Sequence, residues 1–274
     1  MRSGGGRSAA VRVTAGEGRA AILRFGVPGA GEVGVTTAGR EALLAEMAAR
    51  LQAGQGFAVA TLNLDHVVKL RRDAGFRAAY AAQTHVVADG NPIVWLCRLA
   101  GRRVELVPGS DLIGPAMAMA ARLGVPVGVI GSTEAVLERA AARLEAAHPG
   151  LRIVARLAPP MGFDPEGPGA EAVLEAVAAR GARLVLLALG APKQEKLAAL
   201  GRLRQPGLGF LSIGAGLDFI AGAQKRAPLW VRRLALEWLW RMLGNPLRLA
   251  GRYAACLAAL PGLALLALGE RRGG

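Results

Sequence analysis

Aromatic residues make up only 4% of this 274-residue sequence, and no stretch interleaves them with basic residues. That argues against the stacking platforms that hold single-stranded nucleic acid. Zinc-finger, RNP and basic-zipper patterns are also missing. Cysteine is limited to Cys97 and Cys256, far apart in apolar surroundings. A disulfide framework is therefore not expected, and buried free thiols are. Three histidines without metal-ligand spacing leave no basis for a structural zinc site. There is no Walker A motif, and Gly214-x-Gly216 lacks the third glycine and the later acidic residue of a dinucleotide fingerprint. Residues 253–268 are apolar but fall short of the roughly 20 needed to span a bilayer. They are also interrupted by Pro261-Gly262, so they read as lying on a membrane surface or packed on the protein. The first ten residues carry Gly, Ser and Arg around no apolar core and do not read as a signal peptide. A cytoplasmic location follows as the expectation.

What the sequence does have is positive charge and well-patterned hydrophobicity. The formal net charge is +14 and 53% of residues are hydrophobic. The charge suits an anionic partner: a membrane surface, a phosphorylated substrate or nucleic acid. Nucleic-acid binding would explain the charge alone, and would be steeply salt-dependent. The length suffices for one large α/β domain with an appendage.

Residues 1–20 read as a flexible tail. Residues 25–36, with Pro28-Gly29 and Gly31, suit a hairpin. A helix is expected over 37–53, a buried strand over 57–61, a helix over 63–72 and a strand over 85–87. Residues 92–99 read as helical, with Pro92 in the first turn, and Ser110 is placed to cap a helix running to 123. Strands then alternate with helices: 126–130 and 133–147, 151–157 and 169–179, 184–189 and a helix from near Lys193, then strand 209–213. This spacing indicates a Rossmann-like parallel sheet covered by helices, with ligands bound beyond the carboxyl ends of the strands. Residues 21–222 form the expected core. Residues 223–274 form a basic helical appendage, broken at Pro246 and Pro261.

The polar residues concentrate at strand ends. Thr61-Leu62-Asn63 follows the first core strand, Asp89-Gly90-Asn91 the second and Gly131-Ser132-Thr133 the third. Gly190-Ala191-Pro192-Lys193-Gln194-Glu195 and Gly214-Ala215-Gly216-Leu217-Asp218 follow later ones. Parallel strands bring all of these to one edge. Asp89 fits a base that removes a proton from an acceptor hydroxyl, and an Asp-Gly turn is the structural alternative. Thr61 and Asn63 could orient that base or cap a helix. Gly131 permits close backbone approach to a phosphate, or an ordinary tight turn. Gln194 offers both donor and acceptor to the edge of a uracil, and Lys193 could approach a phosphate, a solvated Lys being the default. In the appendage Lys225, Arg226, Arg232, Arg233, Arg241, Arg248 and Arg252 lie among Trp230, Trp238 and Trp240. A basic helix with aromatics suits an anionic membrane surface.

The order and spacing of these motifs resemble the WecG/TagA/CpsF glycosyltransferase family. The carriers are Thr61-x-Asn63, Ala88-Asp89-Gly90, Gly109-x-Asp111-Leu112 and the run from Ala188 to Glu195. Further carriers are Gly214-x-Gly216-x-Asp218, Arg226-Ala227-Pro228, Glu237-Trp238-x-x-Arg241 and Pro246-x-Arg248. The resemblance implies an inverting, metal-independent transferase with a Rossmann-like core and no cofactor. It would move a hexose, often of N-acetylmannosamine type, from a UDP-sugar to a polyprenyl-diphosphate-linked sugar. It implies Asp89 as base beside Thr61 and Asn63, and Gln194 near the nucleotide. It assigns Arg241 and Arg248 to the acceptor or leaving diphosphate, on a C-terminal segment that closes over the site at the membrane.

Two positions depart from the family pattern. Leu106 stands where relatives often carry Arg, and Gly251 where Arg is common, with Arg252 beside it as a substitute. The loop Pro159-Pro160-Met161-Gly162-Phe163 resembles a subset associated with exopolysaccharide assembly, for which a glucose-type donor is as suitable. The expected ligand set is Asp89, Thr61 and Asn63 for catalysis, with Gly90, Asp111, Gly131, Gly190, Lys193, Gln194, Glu195, Asp218, Arg241, Arg248 and Arg252 around the substrates. The expected partners are the two substrates and an anionic membrane at the inner face of the cell membrane, with no nucleic acid. A homo-oligomer is compatible with the sequence. The competing reading is a non-catalytic, membrane-associated component that holds a nucleotide or polyprenyl lipid.

Overall fold

The structure, a computed structural model, describes residues 22–25, 33–228, 230–231 and 234–273. Its first half runs β1 (Leu23–Arg24), β2 (Gly34–Val35), α1 (Arg40–Gln52), β3 (Phe57–Leu62), α2 (Leu64–Leu70), α3 (Ala74–Ala81), β4 (His85–Ala88), α4 (Asn91–Leu99) and α5 (Gly109–Leu123). Then follow β5 (Val127–Gly131), α6 (Glu134–Ala147), β6 (Ile153–Leu157), α7 (Pro168–Ala179), β7 (Leu184–Ala188), α8 (Lys193–Arg204), β8 (Gly209–Ser212) and α9 (Gly216–Ile220). The C-terminal helices are α10 (Glu237–Gly244) and α11 (Pro246–Gly273).

Strands β3 to β8 form one six-stranded sheet in the order β4-β3-β8-β7-β5-β6, and every pairing is parallel. This is the expected α/β, Rossmann-like architecture. Parallel strands carry helices on both faces, so their sequences are apolar throughout. All six residues of β3 are buried. Successive side chains point to opposite faces. Phe57, Val59, Leu184, Leu186 and Leu211 pack with α1, α5, α6 and α9 on one face. Ala58, Val185, Leu187 and Phe210 meet α7 and α8 on the other. Farther along that second face, Ala60, Leu62, Val86 and Ala88 meet α2, α3, α4 and one side of α11.

The edge strand β4 is not left open. Thr36 and Thr37 N–H both donate to the Val86 carbonyl, at 2.9 and 3.2 Å, and Val86 N–H donates to Thr36 Oγ1 at 2.8 Å. This occupies polar groups that would otherwise template another strand.

Strands β1 and β2 pair antiparallel, as the expected hairpin would, with residues 26–32 between them outside the described set. Three details differ from the sequence expectation. Helix α3 appears where none was expected. Its Asp73 cap accepts from Phe76 N–H, and it packs on α8. Ser110 does not cap α5: the helix begins at Gly109 with Pro108 in the cap position. Pro261 does not break α11. Proline removes one helical hydrogen bond, to the carbonyl four residues back. That carbonyl belongs to exposed Leu257, where water can satisfy it. The break at 245 is real, since Asn245 leaves the helical region between α10 and α11.

The C-terminal segment is an integral part of the core on one side. Leu249, Cys256, Leu263 and Ala267 of α11 are buried, the last three in the cluster built on α2 and α4.

Candidate active site

The parallel sheet brings the ends of β3, β4, β5, β7 and β8 to one edge. Asp89 follows β4 directly and is half-buried. Its N–H donates to the Leu62 carbonyl at 2.8 Å, which extends the β3–β4 ladder by one residue and fixes where the carboxylate starts. Gly90 then turns the chain into α4 with φ +111, a backbone conformation that L residues rarely adopt. A Cβ at Gly90 would lie 3.9 Å from Asn63 Cβ and 3.8 Å from Pro92 Cδ, so the ends of β3 and β4 meet at this turn.

Thr61 is buried in β3, beside the first turn of α5 at Gly109. Asn63 caps α2: its Oδ1 accepts from His66 N–H at 3.0 Å. Behind them lies a buried polar chain. Tyr80 Oη donates to the Thr61 carbonyl at 3.3 Å and sits 2.7 Å from His66 Nδ1. Burial, then the nearby Glu195 and Asp89, hold the phenol well above its ordinary pKa, so it stays protonated. Burial lowers His66 to about 3 against the opposing pull of Asp65, so its ring is neutral. Nothing in sequence spacing pairs His66 with Tyr80; the packing of α2 on α3 does.

The residues after β7 are placed differently from the expectation. Gly190 has φ +69 and the Ala191–Pro192 peptide is cis. Lys193 opens α8 and is half-buried. Gln194 is only 2% exposed. Its Oε1 accepts from Gly214 N–H at 3.0 Å and its Nε2 donates to Glu195 Oε1 at 2.8 Å. The amide thus ties the β7 loop to the β8 loop. Glu195 is fully buried, and burial raises its pKa to about 7, although the Gln194 hydrogen bond opposes this. Its carboxylate Oε1 supports Gln194.

Gly131 has φ +124, and a Cβ there would come 2.4 Å from the Ala188 carbonyl oxygen. The close approach is therefore to the end of β7. Ser132 Oγ donates to Asp218 Oδ1 at 2.9 Å and Gln224 Nε2 to Asp218 Oδ2 at 3.2 Å. Asp218 thereby fastens the β5 turn to α9 and the chain leaving it.

Asp111, in the first turn of α5, pairs with Arg226. Burial works to lower the Arg226 pKa, but the Asp111 hydrogen bond and the fields of Asp111, Glu237 and Asp89 outweigh it. The guanidinium therefore stays charged within a group of three carboxylates. Its Nε is buried without a hydrogen-bond partner. The sequence placed Arg226 in a motif and among the basic residues of the appendage, not in an ion pair with Asp111. Arg252 pairs with Asp65 at 2.7 Å. Arg241 and Arg248 are on α10 and α11, but their side chains lie outside the described residues. Arg232 and Arg233 lie outside them altogether. Leu106 is exposed on the loop before α5. Among the described residues no three His, Cys, Asp or Glu side chains are grouped to hold a metal ion.

The model of the glycosyl transferase WecG/TagA/CpsF family matches residues 30–274. The chain belongs to this family. It is accordingly a glycosyltransferase of cell-surface polysaccharide synthesis.

Proposed function

We propose that this glycosyltransferase moves a hexose, of N-acetylmannosamine or glucose type, from a UDP-sugar to a polyprenyl-diphosphate-linked saccharide with inversion. The observation that carries the reading is the position of Asp89, half-buried at the carboxyl end of β4 and pinned by its backbone to the end of β3. The acceptor hydroxyl oxygen attacks the anomeric carbon from one side as the bond from that carbon to UDP breaks on the other. Asp89 takes the hydroxyl proton. Thr61 and Gly90 shape the floor around it, and Asn63 fixes the start of α2. Lys193, Arg241 and Arg248 are the cations assigned to the diphosphate, whose charge grows as UDP departs. With cations in that role the reaction needs no metal, so a chelator should leave turnover unchanged.

The acceptor is lipid-linked, so the site should face a membrane. Helix α11 supports this. Leu249–Arg272 is long and apolar enough to cross a bilayer, yet only 17% of its most apolar stretch is buried. It touches α2 and α4 along much of its length. A helix docked lengthwise on a globular body cannot cross the bilayer without dragging polar surface in after it. Lying in the plane of the inner leaflet, with exposed Leu257, Leu265 and Leu266 in the lipid, satisfies both facts.

The test is UDP release in the presence of a UDP-sugar panel and a polyprenyl-diphosphate-linked hexose. Asp89→Asn should lower kcat by about 100-fold or more with little loss of thermal stability. Full activity in that variant would remove Asp89 as the base. No UDP release with any lipid-linked acceptor would favour a non-catalytic binding component instead.

A further inference from the structure

A groove of about 430 Å³ runs between α4 and α11. Pro92, Trp95 and Leu99 form one wall, and Leu260, Pro261 and Ala264 the other. Not one of these side chains carries a charge, and the only polar atom among them is the indole N–H of Trp95. Trp95 is 52% exposed, unusual for so large an apolar side chain beside a groove that could bury it. The wall from Pro92 to Leu99 spans about 10 Å of helix.

Its position gives it meaning. Pro92 is in the first turn of α4 and abuts the Gly90 turn, so the groove opens beside Asp89. Its far wall is the helix whose apolar surface is mostly uncovered. One end therefore meets the polar site and one side meets the surface that would face lipid. An occupant must be an apolar chain with a polar group at one end.

We infer that this groove holds the first isoprene units of the acceptor's polyprenyl chain, so that the attached diphosphate-sugar is delivered to Asp89. The inference rests on the lipid-linked acceptor proposed above and adds where its hydrocarbon lies. Bilayer acyl chains match the apolar lining but have no reason to end at Asp89. A second copy of this chain would need broader contact than a groove of this size offers.

The full-length protein in nonionic detergent micelles is titrated with undecaprenyl phosphate and with butyl phosphate, and binding is followed by thermophoresis. Wild-type protein should bind the long-chain phosphate at least tenfold more tightly. Trp95→Ser removes one wall and Ala264→Phe fills the groove; each should weaken undecaprenyl phosphate binding fivefold or more and leave butyl phosphate binding unchanged. Trp95 is exposed, so the serine variant should fold even if the phenylalanine variant does not, and it then decides alone. No chain-length preference in the wild-type protein, or equal binding by the serine variant, overturns the inference. So does an equal loss of binding to vesicles of phosphatidylglycerol and phosphatidylcholine, which would assign the groove to bilayer lipid. A wild-type dimer that Trp95→Ser turns monomeric would assign it to self-association. UDP release from lipid-linked acceptor by the wild-type protein tests the underlying reading separately, since it can succeed while every groove measurement fails.

Discussion

Arg226 Nη1 donates to Asp111 Oδ1 across 115 residues of chain, joining the segment after α9 to the first turn of α5. The pair is partly exposed, so its Coulomb energy is screened. Its value lies in direction: it holds the guanidinium against the first turn of α5 and keeps Nε buried. Replacing Asp111 by Ala leaves the guanidinium without its hydrogen-bonded carboxylate. A loss of about 1–2 kcal/mol, read as a fall of a few degrees in Tm, is expected. Arg226→Ala in the Asp111→Ala background should cost much less than Arg226→Ala alone, and additive losses would show that the two side chains are not coupled.

Glu195 sets a second expectation. Its folded pKa, about 7, is above the ordinary 4.5 because the carboxyl is buried. Between these values the folded protein holds a proton that the unfolded chain releases. The stability Glu195 contributes is thus complete below about 4.5 and is lost as pH rises through about 7, on the order of 3 kcal/mol in total. His66 acts in the opposite direction. Its folded pKa is depressed to about 3 by burial, so its contribution is complete above 6.5 and is lost as pH falls towards 3. Over pH 4.5 to 6.5 the two oppose each other. Glu195→Gln should remove the alkaline loss, so denaturant unfolding at pH 8 should show the variant gaining on wild type relative to pH 5. A constant difference between the two pH values would mean that Glu195 titrates normally.

The fold was legible in the alternation of apolar runs and helical periods, because buried parallel strands must be apolar on both faces. The strand-end cluster was legible for the same reason: once the strands are parallel, Asp89, Asn63, Gly131 and Gly214 share an edge whatever else the sequence does. Gln194 and Glu195 were not. Polar residues at a helix start read as ligand-facing, and only the arrival of β8 beside β7 brings Gly214 N–H to Gln194. Helix α3 was missed because Gly75 and a run of alanines give little periodic signal, and Phe76 and Tyr80 find their partners in α2. Pro261 misled because a proline's cost depends on which side of the helix loses its bond.

Gly131→Ala tests whether the β5 turn is set by packing. The new Cβ would meet the Ala188 carbonyl at 2.4 Å in a backbone conformation with φ +124. Both the backbone strain and the clash oppose it, for a combined loss of about 3 kcal/mol. A shift of the turn would also pull Ser132 from Asp218. Chemical denaturation reads the loss directly. A variant as stable as wild type would mean that the turn relaxes freely and that Gly131 is available for ligand approach after all.

Asp65 offers the last expectation, about how α11 is held. Its Oδ2 lies 2.8 Å from Lys69 Nζ and 2.7 Å from Arg252 Nη2, an ion-paired cluster more than a set of directed hydrogen bonds. Asp65 is nearly buried, whereas Lys69 and Arg252 are each more than a third exposed, so solvent screens the pairs. Asp65→Ala should therefore cost about 1–2 kcal/mol, and the effect should concentrate on α11. The apolar contacts of Cys256, Leu263 and Ala267 remain, so the helix stays docked but opens more often. Faster amide exchange along α11, with α5 and the sheet unchanged, is the expected pattern. Uniformly faster exchange would mean that α11 unfolds only with the whole protein. It would then be as much a part of the core as α2.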